Sequence, residues 1–198
     1  MGNLSYFNLQ EFIVKYNSEF LVETGTWRGT AIDYACKFNF KKIFSVELVK
    51  EYYDFCVNKF KNNNNIILIN NTSINGLKKI LTDNNLGRTI FWLDAHLPHH
   101  YDKTILIDYG KNKDLLIPLE EELKTIVTNK DTSMDVFIID DLRIYERGKF
   151  QSGEWLDVIN SGHCGIDFIF NLLSNTHDIQ RIYAGEGYVL CTPKINKI

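Results

Sequence analysis

Two stretches combine residues that could do chemistry. "FWLDAH" (91–96) ends an apolar run on Asp94 and sets His96 two residues further on. "FIIDDLR" (137–143) ends another on the pair Asp140–Asp141, followed by Arg143. If the two runs are neighbouring strands of one open sheet, three carboxylates converge beyond their carboxyl ends. Close carboxylates repel one another, so they either take up protons or bind a cation. Hard oxygen donors of this kind suit Mg²⁺, with water and substrate completing an octahedron. The competing use of the Asp pair is helix capping plus a salt bridge to Arg143, which itself reads as a structural partner of these acids. His96 is the best-placed proton acceptor; a hydrogen-bonded rim histidine is the plainer alternative. His99 and His100 follow in "DAHLPHH", at a spacing that suits zinc poorly.

A second group lies earlier. "VETGTWRGT" (22–30) carries Glu23, Gly25 and Gly29 across a strand-to-helix junction. It has neither the G-x-G-x-x-G pattern nor the GK[ST] of a phosphate loop, so no pyrophosphate cradle is evident. Glu47 closes the next apolar run, "KIFSVE". A carboxylate there can accept both hydroxyl protons of a ribose. Such charge-assisted bonds contribute roughly 1.5–3 kcal/mol each. The alternative is that the glycines only shape a turn and Glu47 caps the next helix. Acidic groups without a phosphate cradle favour a cationic, ribose-bearing, phosphate-free ligand, and S-adenosylmethionine fits that description.

The elements that must position these residues alternate along the chain. Apolar runs at 19–23, 42–47, 65–70, 89–94 and 135–140 read as strands. Helical spacing covers 9–16, 30–38, 50–60, 73–81, 117–127 and 165–173. Ser73 is the expected N-cap of its helix, and Pro118 falls in the first turn of another. Two late runs, 178–185 and 187–193, flank Glu186 as a hairpin. The expected fold is α/β, a mainly parallel sheet with a C-terminal antiparallel hairpin. Ligands of such sheets bind beyond the carboxyl ends of the strands, where Glu23, Glu47, Asp94, Asp140 and Asp141 all fall. No repeat or linker interrupts the 198 residues, so 1–198 reads as a single domain.

Composition narrows the partners. A net charge of −3 gives no sign of general nucleic-acid binding. No apolar run approaches the ~20 residues of a membrane span, and the N-terminus lacks the pattern of a signal peptide. Cys36, Cys56, Cys164 and Cys191 form no CxxC and read as reduced thiols of a cytoplasmic protein. A homodimer is left open. The segments 97–116 and 144–164 follow the acidic strands and hold Tyr101, Tyr109, Tyr145 and Trp155. These rings suit a sugar or phenolic acceptor, or simply pack beneath long loops.

"FLVETGTWRGTAIDYACK…IFSVELVKEYY" resembles the first two motifs of class I S-adenosylmethionine-dependent methyltransferases, and the terminal hairpin matches their topology. The resemblance implies a Rossmann-like doubly wound sheet. It places Glu23, Gly25 and Gly29 along the methionine part, Glu47 at the ribose, and Thr72 and Ser73 at the adenine; the family often has Asp at the Thr72 position. The acidic strands resemble those of metal-dependent O-methyltransferases of the catechol and macrocin-type sugar groups. By that likeness Asp94, Asp140 and Asp141 hold the metal, and Asp94 also borders the cofactor. Macrocin-type enzymes read Asp-Gly-Asp where this chain reads Asp94-Ala95-His96. The implied activity is metal-dependent O-methylation of a sugar, glycan or similar small acceptor. Metal-independent methylation and a non-catalytic cofactor-binding module are the competing readings.

Overall fold

A computed structural model of the protein describes residues 3–96, 113–152 and 165–195. Its strands are β1 (Phe20–Thr24), β2 (Lys42–Glu47), β3 (Ile66–Asn70), β4 (Thr89–Leu93), β5 (Val136–Ile139), β6 (His177–Ile182) and β7 (Tyr188–Pro193). Its helices are α1 (Leu9–Tyr16), α2 (Thr30–Ala35), α3 (Lys50–Phe60), α4 (Ser73–Asp83), α5 (Lys113–Leu116), α6 (Leu119–Asn129) and α7 (Asp167–Leu173). Short 3₁₀ turns at Leu4–Tyr6 and Leu142–Ile144 complete the described elements.

The strands form one sheet in the order β3-β2-β1-β4-β5-β7-β6. β1 to β5 run parallel, and β7 is antiparallel to both β5 and β6. The expected mainly parallel sheet with its terminal hairpin is therefore the observed one. The chain lays β2 and β3 outward from β1, then returns to place β4 on the other side of β1. That reversal opens a crevice at the carboxyl ends of β1 and β4, where sheets of this kind bind ligands.

Both faces of the sheet are covered, because strand side chains alternate. Val22, Phe91, Leu93, Phe137 and Ile139 face a core shared with Leu77 and Ile80 of α4, Leu123 and Ile126 of α6 and Ile169 of α7. Leu21, Ile90, Trp92 and Ile138 face the opposite core, with Ile32 of α2 and Cys56 and Phe60 of α3. Phe91 and Phe137 stack across β4 and β5 at 5.1 Å.

Boundaries shift where caps decide them. Thr72, not Ser73, is the N-cap of α4: it keeps an extended backbone, and its hydroxyl accepts from the Asn75 N–H at 3.3 Å. Pro118 precedes α6 as its N-cap, and Glu120, Glu121 and Glu122 occupy the first turn, where negative charge complements the helix dipole. The helix expected over 30–38 stops at Ala35. Beyond it the bonds tighten to three-residue spacing, Lys37 N–H to Tyr34 O and Phe38 N–H to Ala35 O.

Gly25 ties β1 to β4. Its φ is +84°, and an added Cβ would lie 2.3 Å from the Asp94 carbonyl oxygen. Gly25→Ala must therefore displace backbone as well as adopt a disfavoured dihedral. We expect it to cost about 2–5 kcal/mol, summing roughly 1–2 for the dihedral and 1–3 for overpacking. Urea denaturation checks this; an unchanged midpoint would show that the loop moves freely.

Candidate active site

The strand ladders set the acidic residues in place. Asp94 N–H donates to Thr24 O at 3.1 Å, and Asp140 N–H donates to Leu93 O at 3.1 Å. Each Asp thus sits one residue past its strand, stepping across the sheet from β1 to β4 to β5. Asp140 is 3% exposed and Asp141 1%, while the Asp94 and His96 side chains are partly covered. Possible ligand atoms of Asp94, His96 and Asp141 lie within 4.8 Å of one another, and so do those of Asp140, Asp141 and Glu186.

The adjacent aspartates have opposite surroundings. Asp141 has a left-handed backbone, φ +52°. Its Oδ1 accepts from Arg143 Nε at 2.7 Å, and its Oδ2 lies 2.6 Å from His96 Nε2. Burial alone would raise its pKa, but His96 and Arg143 outweigh burial and hold the carboxyl below the usual range. Asp140 has neither oxygen hydrogen-bonded among the described residues. Burial, then the charge of Asp141, pushes it up to about 7. Asp94 is raised well above normal by burial and by Asp140 and Asp141. Burial acts to lower His96, yet Asp141 and Asp140 reverse the sign and favour the imidazolium. Its Nδ1 faces Asp94 Oδ1 at 3.4 Å. Arg143 also holds Glu186 Oε1 through Nη2 at 2.8 Å, so its structural role is real.

At the other end of the crevice, Glu47 is buried and oriented by backbone. Its Oε2 accepts from Trp27 N–H and its Oε1 from Val49 N–H, both at 2.7 Å. A carboxylate has about four acceptor sites, so hydroxyl donors can still be received. Glu23 accepts from the Ser45 hydroxyl at 2.5 Å, and burial raises it to about 8 despite that bond. Gly25 makes its close approach to the Asp94 backbone, and Gly29, at φ +72°, caps α2 with Phe60 against it. Thr72 spends its hydroxyl on the α4 cap. Ser73 lies beside Glu122.

Glu122, Glu186 and the placement of Tyr145 were not anticipated. Glu122 is 1% exposed, and burial lifts it to about 7 against the pull of the Ser73 and Thr24 hydroxyls. The signal was available: in "LEEEL" the third glutamate shares the apolar face of Leu119 and Ile126 at three- and four-residue spacing. Tyr145 is buried, packs on Phe168 at 6.0 Å and lines a small cavity with Asp94, His96, Pro118 and Asp140. His99, His100, Tyr101, Tyr109, Trp155 and Cys164 lie outside the described residues. No helix among the described residues is long and apolar enough to cross a membrane.

No family model matches the chain, and no curated protein matches it. Solved structures do. One titled a putative caffeoyl-CoA O-methyltransferase from Staphylococcus aureus superposes with a TM-score of 0.62 at 10% identity, over 98% of this chain and 84% of that one. An O-methyltransferase from Bacillus cereus in complex with SAH gives 0.56 at 14% identity, over 94% and 79%. A SAM-dependent methyltransferase from Aquifex aeolicus gives 0.55 at 15%, over 95% and 89%. The fold is that of the class I S-adenosylmethionine-dependent methyltransferases.

The raised carboxyls have a sign. A carboxyl whose folded pKa exceeds its unfolded value binds an extra proton in the folded state, so its contribution is lost as pH rises towards the folded pKa. Glu23, at about 8 against 4.5, should reduce stability by about 1.4 kcal/mol per pH step between roughly pH 5 and 8. Glu122 and Asp140, each at about 7, act in the same direction up to that pH. Urea midpoints of the metal-free protein should therefore fall from pH 5 to 8, and Glu23→Gln should flatten the slope. A midpoint that rises over this range would contradict the assignment.

Proposed function

We propose that the protein is an S-adenosylmethionine-dependent O-methyltransferase that requires a divalent cation, with 1–198 acting as one domain. The acceptor is a hydroxyl of a sugar, glycan or similar small polar molecule. The observation that carries the cation is Asp140, a deeply buried carboxyl with neither oxygen hydrogen-bonded among the described residues, beside Asp94 and Asp141. Buried charge needs a partner. All three donors are hard oxygens, which fits Mg²⁺, an ion that takes few carboxylates and keeps several waters. Asp94, Asp140 and Asp141 are the residues that would hold it.

The cofactor would supply an electrophilic methyl group, and the cation a Lewis acid that makes the acceptor hydroxyl more acidic. The chain's own residues do the rest. Glu47, fixed by two backbone N–H groups, receives the ribose hydroxyls. Glu23, Gly25 and Gly29 border the methionine part. Thr72 and Ser73 border the adenine, Ser73 with its side chain and Thr72 through the turn that it caps. Asp94 stands where the cofactor and reactive ends meet. His96 takes the acceptor's proton, for which it must be neutral and turn one nitrogen away from its carboxylates. Tyr145 walls the cavity beside it.

A second reading also has an observation behind it. His96 Nε2 lies 2.6 Å from Asp141, the pairing of a histidine base oriented by a carboxylate. Such a pair serves metal-independent methyl transfer.

Calorimetry should show S-adenosylmethionine binding in the micromolar range, about −8 kcal/mol, and Glu47→Ala weakening it tenfold or more. Unchanged affinity would remove Glu47 from the site. Asp140→Asn should keep cofactor binding and lose cation-stimulated methylation of a panel of sugars and catechols. If EDTA-treated protein methylates at the full rate, the cation requirement falls and the His96–Asp141 reading takes its place. In that case His96→Gln should lose about 10²–10⁴-fold in rate.

A further inference from the structure

We infer that Glu186, at the turn between β6 and β7, is a further ligand of the divalent cation, so that the hairpin joins the ends of β4 and β5 in building the site. The inference rests on the cation-dependent reading above and deepens it. Geometry comes first. One carboxylate oxygen from each of Asp140, Asp141 and Glu186 lies within 4.8 Å of the other two, and all three residues are buried. A cation held by oxygens at 2.0–2.6 Å brings its ligand atoms to such mutual distances.

The position of Glu186 is fixed by backbone. Leu142 N–H donates to Gly187 O at 3.0 Å, and Arg143 N–H donates to Glu186 O at 3.3 Å. The hairpin turn is thereby bonded to the 3₁₀ turn that begins at Asp141. Gly187 makes the contact possible: at φ +86°, a Cβ there would lie 2.4 Å from the Phe150 ring and 3.0 Å from Leu142 Cβ. A carboxylate held this firmly beside two others does not swing away to relieve repulsion.

Charge gives an independent argument. Asp140, Asp141 and Glu186 cluster, and Asp94 adjoins them through Asp141; among the described residues Arg143 pairs with Asp141 and Glu186, and titratable His96 with Asp94 and Asp141. Arg143 holds Asp141 by Oδ1 and Glu186 by Oε1, so the guanidinium orients both groups. Asp140, with neither oxygen bonded among the described residues, marks where positive charge is still needed. A divalent ion would supply it.

Mn²⁺ binding, read from the loss of its free-ion EPR signal, tests this without any acceptor. Wild-type protein should bind one Mn²⁺. Glu186→Gln should weaken that affinity tenfold or more, with unchanged S-adenosylmethionine affinity. Glu146→Gln, a hairpin-facing carboxylate paired with Arg181, should bind Mn²⁺ as wild type does. Should Glu186→Gln not fold, Glu186→Asp carries the same expectation, because it keeps the charge but draws the oxygens back by one methylene. If the Glu186 variant binds Mn²⁺ like wild type while Asp140→Asn does not, the inference is overturned and the cation reading stands. If wild-type protein binds no Mn²⁺, both fall.

Discussion

The pairing of β1 with β4 is the constraint on which the site depends. Each strand alone carries one acidic residue near its carboxyl end. Side by side, they set Glu23 and Asp94 in one crevice and press Gly25 against the Asp94 carbonyl. The loop after β1 and the acidic end of β4 therefore share a wall with no spare volume. A change in one displaces the other, and for this reason a backbone without a side chain stands at the contact.

The contrast between Asp140 and Asp141 shows how little sequence distance decides an electrostatic environment. Asp140 follows the strand directly, and neither of its oxygens has a hydrogen-bond partner among the described residues. One residue later, the left-handed backbone of Asp141 turns its carboxyl to His96 and Arg143. Burial acts on both. Two cations overcome it at Asp141 and none does so fully at Asp140, so the pKa shifts point in opposite directions.

The fold was legible because its signals are local. Strand ends coincide with acidic residues, helical spacing marks the intervening segments, and the hairpin is punctuated by Gly185 and Gly187. Asp94 and Asp140 could be named because each follows an apolar run directly, and His96 and Asp141 because they lie within two residues of those aspartates. Other features are not local. Glu186 reaches the cluster only through the antiparallel pairing of β5 with β7, which its flanking residues do not encode. The turn of Asp141 reflects the docking of that hairpin. The α4 cap moved by one residue because Thr72 and Ser73 are equally competent in type, and only the backbone of Thr72 stays extended. Glu122 was legible and passed over: a charged residue on the apolar face of a helix signals a buried polar environment.

β7 is the last in sequence of the described strands, yet it inserts between β5 and β6 rather than adding at an edge. Without it, β5 would present an open edge and Asp141 would have no hairpin to brace its turn. The parallel part of the sheet can therefore form before the acidic cluster is gathered. Residues distant in sequence meet at that cluster only once the hairpin has docked, so its geometry reports on the last step of sheet assembly.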